Sequence, residues 1–236
     1  MLTISHSPAY NALFIFAVSL YLIDKGEVNK ARDLIQQHRS VVDQLSAFSP
    51  FRLHVLRLLG EILIRQEKEE EAAILLKQLE PLGHALYKDR ENTFYAHLDI
   101  LKAQCLLKEN HINEAETLLH QALNLYAESL GGDARHRKQA FAHFVLGTLY
   151  ERAGNYEKAL ARYLKSESIY DTLLKEKAIE DVSLLYKHLA LLGVALKDES
   201  LTHTYLKKHL KTFGLQHPRT QEIIHHLDRK GLMIPF

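Results

Sequence analysis

Between Ala142 and Ile169 the chain reads AHFVLGTLYERAGNYEKALARYLKSESI, and this stretch restricts the fold more than any other. Leu146-Gly147-x-x-Tyr150 has the spacing of one helix, Ala153-Gly154-Asn155 breaks it, and Ala159-x-x-x-Tyr163 opens a second helix. Gly147 and Ala159 are small where an antiparallel pair must approach most closely, while Leu146, Tyr150 and Tyr163 fill the space beside them. A hairpin of this kind packs on neighbours built like itself, so copies of it are expected elsewhere in the chain.

The copies are present in weaker form. Ser7-Pro8 starts a first helix running to about Asp24, the serine hydroxyl free to cap it and the proline at a first-turn position. Gly26 breaks that helix, and Val28, Ala31, Leu34 and Ile35 carry a second to near Ala47. Ser49-Pro50 repeats the start signal ahead of Leu59-Gly60 and Leu63, with Ala72 and Leu76 on the partner helix, which Pro81 is expected to end or bend. A third pair begins near Asp89, with Ala103 and Leu106 followed by Ala115, Leu119 and Ala122. Gly131-Gly132 ends it, and Asp133 is placed to cap the next helix. A fifth pair is read from Leu192-Gly193 and Leu196, a match that needs a one-residue deletion. His217-Pro218 then opens a short last helix.

The packing alanines Ala31, Ala72, Ala115 and Ala159 stand 41, 43 and 44 residues apart. Leu146-Gly147-x-x-Tyr150 with Ala159-x-x-x-Tyr163 resembles the tetratricopeptide repeat, whose pattern is W-x2-L-G-x2-Y…A-x3-F…P over about 34 residues. The longer step is similar to the repeats of kinesin light chains and of the helical sensor domain of bacterial maltose-type regulators. Phe213 to Thr220, FGLQHPRT, is similar to the kinesin light chain linker G-x-x-H-P-x-T. The resemblance implies an all-α, right-handed helical-hairpin solenoid of about five such pairs plus a C-terminal capping helix. As one domain over 1–236, it places units at 8–47, 50–87, 90–130, 134–175 and 181–213 and the cap at 218–230. The chain departs from the pattern in having no Trp.

In such families the first helices line a concave, peptide-binding face. Carrying the phase of the Ala142–Ile169 copy along the chain assigns to that face, as exposed residues, Leu13, Phe16 and Leu20, then His54, Arg57 and Glu61, then His97, Ile100 and Gln104. Phe141, Phe144 and Thr148 follow, then Lys187, Ala190 and Val194. The sites singled out are His54, Arg57, Glu61, His97, Gln104, Phe141, Phe144, Thr148 and Lys187. Each also has a plainer reading: Arg57 with Glu61 is a helical i, i+4 ion pair, and Leu13, Phe16 and Leu20 are a terminal face needing cover. The Lys and Asn clamp by which chaperone-binding relatives hold a C-terminal carboxylate finds no Asn in these slots.

Composition narrows the remaining choices. With 30 basic and 29 acidic residues the net charge is +1, which offers no field for nucleic acid. Ala12 to Ile23 is apolar but short of the roughly 20 residues that span a bilayer, so it reads as a buried first helix and no membrane partner is expected. Its Phe14, Phe16 and Leu20 suggest a homodimer contact. One cysteine, Cys105, fits a reducing, cytoplasmic setting and a buried structural thiol. None of the 15 histidines lies three or four residues from another, so no metal site is read. The acidic run Glu67 to Glu71 falls where a helix starts and reads as dipole-favoured solvated charge. Without G-x-S-x-G, G-x-x-x-x-G-K-[ST] or G-x-G-x-x-G, the expectation is a non-catalytic scaffold or adaptor without cofactors, taking a protein or peptide partner. The alternative is a sensor or regulatory domain binding a small ligand or signal peptide.

Overall fold

The computed structural model describes residues 7–88, 92–131, 135–174 and 178–232. Asp89, Gly132 and Asp133, named above as boundary residues, lie outside them. All regular elements among the described residues are helices, and the chain divides into two compact units, Met1–Ala134 and Arg135–Phe236.

The first unit contains α1 (Pro8–Asp24), α2 (Val28–Gln37), α3 (Arg39–Asp43), α4 (Pro50–Arg65), α5 (Glu69–Tyr87), α6 (Thr93–Lys108) and α7 (Ile112–Leu130). α1 pairs with α2, α4 with α5 and α6 with α7, and α4 packs on both α1 and α6. The second unit contains α8 (Arg137–Arg152), α9 (Tyr156–Leu173), α10 (Glu180–Leu196), α11 (Glu199–Phe213) and α12 (Pro218–Arg229). α8 pairs with α9 and α10 with α11; α10 also packs on α9, and α12 closes against α10 and α11.

One backbone device recurs in all five hairpins. Gly26, Glu67, Asn110, Gly154 and Lys197 each have φ between 58° and 76°. The amide of the following residue reaches back five positions to the carbonyl of Leu22, Leu63, Leu106, Tyr150 or Gly193, at 2.8–2.9 Å. A left-handed residue after the last helical turn lets two orphan N–H groups satisfy carbonyls of that turn, and the chain reverses at once. Five residues beyond each of these positions stand Ala31, Ala72, Ala115, Ala159 and Thr202, all buried. The small residue thus meets the first helix at the same register every time.

That register corrects the fifth pair. Counting back seven residues from the turn gives Gly60, Ala103, Gly147 and, for Lys197, Ala190. Ala190, not Gly193, is the counterpart of Gly147; Gly193 takes the Tyr150 position, and no deletion is needed. Other boundaries differ as well. The second helix of the first pair is interrupted at His38, leaving α3 as a separate piece whose Val42 packs in the core. Pro81 does not end α5. It lies on the exposed side, where the Lys77 carbonyl that loses its partner can be hydrated. The hydroxyls of Ser7 and Ser49 make no cap bond. Asn92, His136, Asn155, Asp198 and His217 do, each accepting a backbone N–H of the helix it precedes.

Candidate functional site

Counted from the turn residues, the face assigned to ligand binding stands 13, 10 and 6 positions upstream of each turn. This returns the residues read from the sequence on α1, α4, α6 and α8. On α10 the register replaces Lys187, Ala190 and Val194 by Leu184, Lys187 and Leu191. Leu184, Lys187 and Leu191 are half-buried, whereas Ala190 is wholly buried.

The expectation that this face is exposed fails for most of it. Arg57 (8% exposed), Glu61 (2%), His97 (2%), Phe141 (4%) and Phe144 (5%) are buried, and His54, Gln104, Thr148 and Lys187 are half-buried. In the first unit the reason is packing. α4 has α1 on one side, α6 on the other and α5 behind it, so its polar side chains meet one another instead of solvent. Glu61 accepts a bond from Arg65 Nη2 at 3.0 Å, and its other oxygen stands 3.2 Å from His97 Nε2. The Arg57 guanidinium lies 5.6 Å from the Phe94 ring centroid. Burial lowers its pKa, opposed by Tyr126, Glu61 and Tyr87, and its Nε has no hydrogen-bond partner among the described residues.

His54 sits between the rings of Phe16 and Phe94, at 5.9 and 5.8 Å, with Nε2 3.3 Å from the Tyr87 hydroxyl. Burial, and then the charge of Arg57, lower its pKa to about 4, so the ring is neutral near pH 7. Gln104 reaches the Ile100 carbonyl of its own helix, at 3.5 Å. What stays at least half-open on this face of the unit is Leu13, Phe16 and Leu20 with two polar residues, His54 and Gln104.

In the second unit Phe141 and Phe144 stack at 5.9 Å. Lys138 stands 5.5 Å over Phe141, and Phe144 meets His188 edge-on at 5.3 Å. The Thr148 hydroxyl donates to the Val145 carbonyl at 2.8 Å. Lys187 forms an ion pair with Glu222 of α12. Beneath this face Tyr163 donates to Glu151 at 2.5 Å, with His188 Nδ1 2.9 Å from the same oxygen. Burial raises the Glu151 pKa, but the bonds from His188 and Tyr163 and the His188 charge outweigh it, so the carboxyl lies below its ordinary range.

One polar group escaped the sequence reading. Ser183, His209 and Thr220 are each 0% exposed. Thr220 spends its proton on the Gly214 carbonyl at 2.8 Å. His209 Nδ1 therefore donates to Thr220 at 2.8 Å, and Nε2 accepts from Ser183 at 2.9 Å. The residues lie 26 and 11 positions apart on three helices, a spacing with no local signature, and no substrate reaches them. They lock α12 onto α10 and α11.

Among the described residues no group of three or more His, Cys, Asp or Glu is placed to hold a metal ion. No described helix is long and apolar enough to cross a membrane. Burial, followed by Glu69 and Glu109, pushes the Cys105 thiol up to about 12, which keeps it protonated and unreactive.

Residues 95–172 match the family model of the tetratricopeptide repeat. No curated protein matches the chain. Among solved structures, the chain is similar to kinesin light chain TPR-like repeats of Podosopora anserina, with a TM-score of 0.53 and 18% identity over 96% of this chain and 100% of that one. A thermophilic tetratricopeptide-repeat protein of Thermus thermophilus superposes with a TM-score of 0.60 and 14% identity, over 92% of this chain and 98% of that one. A signal transduction ATPase of Pyrococcus horikoshii with a tetratricopeptide repeat sensor gives 0.56 and 18%, over 91% of this chain and 30% of that one.

Proposed function

We propose that the protein, whose residues 95–172 match the tetratricopeptide-repeat model and whose fold is similar to solved tetratricopeptide-repeat structures, is a non-catalytic module that binds a protein or peptide partner along its first helices. The observation carrying this reading is the half-open strip that the repeat register leaves on those helices. In the first unit it is Leu13, Phe16, Leu20, His54 and Gln104; in the second it is Thr148, Leu184, Lys187 and Leu191. Such strips set apolar anchor points beside polar groups that can fix orientation, as peptide grooves do. The buried Arg57, Glu61, His97, Phe141 and Phe144 support the strip and do not touch a ligand in this reading.

Panning a displayed random-peptide library on the full chain tests it. Selected peptides are expected to lose about tenfold or more in affinity on Leu13→Glu with Phe16→Glu, or on Leu184→Glu with Leu191→Glu, the range typical of truncated anchors. Peptides indifferent to both pairs, in variants that melt like the parent, would refute the strip as a binding surface. The sensor alternative draws support from the fold of the Pyrococcus sensor and from a 520 Å³ cavity beside the α10–α11 turn, lined in part by Val194, Thr202, His203 and Leu232. It gains if no peptide is selected while a small molecule raises the melting temperature.

Self-association forms the finer part of the proposal. Tyr10, Phe14 and Tyr21 on α1 are 69%, 64% and 61% exposed, and an apolar helix face of this kind suits an isologous contact. Sedimentation is expected to show a concentration-dependent dimer that Phe14→Glu abolishes. A monomer at millimolar concentration would remove self-association from the reading.

A further inference from the structure

A second surface lies on the other side of α8. At 100° per residue, His143 and Tyr150 project about 100° or more away from Phe141, Phe144 and Thr148. Together with Lys158, Ala161, Arg162 and Lys165 of α9 they line a cleft of 530 Å³. No acidic residue lines it. Arg162 is half-buried, Lys158 and Lys165 are exposed, and among the described residues none of the three cations pairs with a carboxylate. This contrasts with Lys187, Lys208 and Arg219 of the same unit, each of which is held by a glutamate. A chain with a net charge of only +1 thus gathers three uncompensated cations on about 10 Å of one helix face.

We propose that this cleft binds an acidic peptide segment of a partner protein in extended form. Lys158, Arg162 and Lys165 stand at i, i+4 and i+7, roughly 6 and 4.5 Å apart along the axis. Alternate side chains of an extended strand repeat at about 6.8 Å, so carboxylates at two alternate positions reach the cation row. Arg162, at its centre, supplies the planar fork that pairs with a carboxylate. The spread of the cations argues against a single phosphate, which needs donors converging on one point. Of its two rings, Tyr150 already has Lys158 5.4 Å above it and His143 is buried, leaving no open stacking platform of the kind single-stranded nucleic acid uses.

A fluorescein-labelled octapeptide of alternating Glu and Ala, titrated into the full chain at low salt, provides the test, with the Gln–Ala octapeptide as its neutral control. Saturable binding is expected for the Glu peptide only, weakening as salt shortens the screening length. Arg162→Glu with Lys165→Glu should cost about tenfold or more, whereas Lys207→Glu with Lys211→Glu, the same charge change at exposed sites elsewhere in the unit, should leave binding unchanged. Should the reversal impair folding, Arg162→Gln with Lys165→Gln replaces it, and a loss of at least threefold is required. Equal binding of the Gln peptide, or equal loss in both double variants, overturns the proposal. So does full displacement of the peptide by equimolar inorganic phosphate, or tighter binding of a single-stranded RNA of equal charge.

Discussion

Gly193→Ala is expected to destabilise the protein by about 2 kcal/mol, and Gly147→Ala by a similar or slightly smaller amount, while Gly60→Ala should be close to neutral. All three glycines lie inside first helices, where alanine alone would stabilise by up to about 1 kcal/mol. What separates them is the object a methyl group would meet. At Gly193 it would stand 2.4 Å from Thr202 Oγ1, 2.7 Å from the Thr202 backbone nitrogen and 3.0 Å from the Asp198 carbonyl. Those backbone atoms belong to the hairpin turn and first turn of α11, so relief requires the helices to separate. At Gly147 it would stand 2.3 and 2.4 Å from two carbons of the Tyr163 ring, which the bond to Glu151 holds in place. At Gly60 the obstacle is the far end of the Leu76 side chain, at 2.8 Å, which can change rotamer. Overpacking that cannot relax costs about 1–3 kcal/mol and occasionally more. Urea midpoints of the full chain read the order directly. A Gly193→Ala protein as stable as the parent would mean that the α10–α11 contact is looser than described.

Acid should weaken the second unit well before its carboxylates titrate. His209 is completely buried and neutral, and its pKa is lowered to about 4, first by burial and then by His217 and Arg219, against Glu222. In the unfolded chain the ring titrates near 6.5. Between those values the unfolded state binds a proton that the folded state excludes, so stability falls as pH drops from about 6.5 to about 4 and levels off below. The gap corresponds to roughly 3 kcal/mol. His54, lowered to about 4 in the first unit, acts in the same window and the same direction, discounted for its partial exposure. His209→Gln removes the titration; it should lower stability at pH 7, because the Ser183 and Thr220 bonds are disturbed, and flatten its decline toward pH 4. A pH profile parallel to that of the parent would show that His209 does not drive the loss.

The parts of this molecule that were legible before the structure are those written in local patterns. Ala72, Ala115 and Ala159 declared the hairpins because a small residue at a close helix contact is a nearest-neighbour requirement. Glycine marked the left-handed turn position only at Gly26 and Gly154. At Glu67, Asn110 and Lys197 the same left-handed conformation is taken by residues that give no such sign. Gly193 misled the reading, since a glycine after leucine matched the repeat pattern while the true slot held Ala190. The face proposed for binding was legible in register and not in exposure. Whether Arg57, Glu61 and His97 face water depends on which helices flank α4 and α6, information spread over several hairpins. The Ser183–His209–Thr220 lock joins three helices and has no footprint in any one of them.

The uniformity of the hairpin turns bears on how such a chain can change over evolutionary time. From the first-helix small residue to the turn is seven residues, and from the turn to the second-helix small residue is five, in the four later pairs alike. Turn-to-turn distances nevertheless vary from 41 to 44 residues. All of that variation therefore accumulates outside the thirteen-residue hinge, in the outer turns of the helices and the connectors that join one pair to the next. Insertions and deletions are free to drift there, while a single codon gained or lost within the hinge would rotate one helix by about 100° against its mate and expose its buried face.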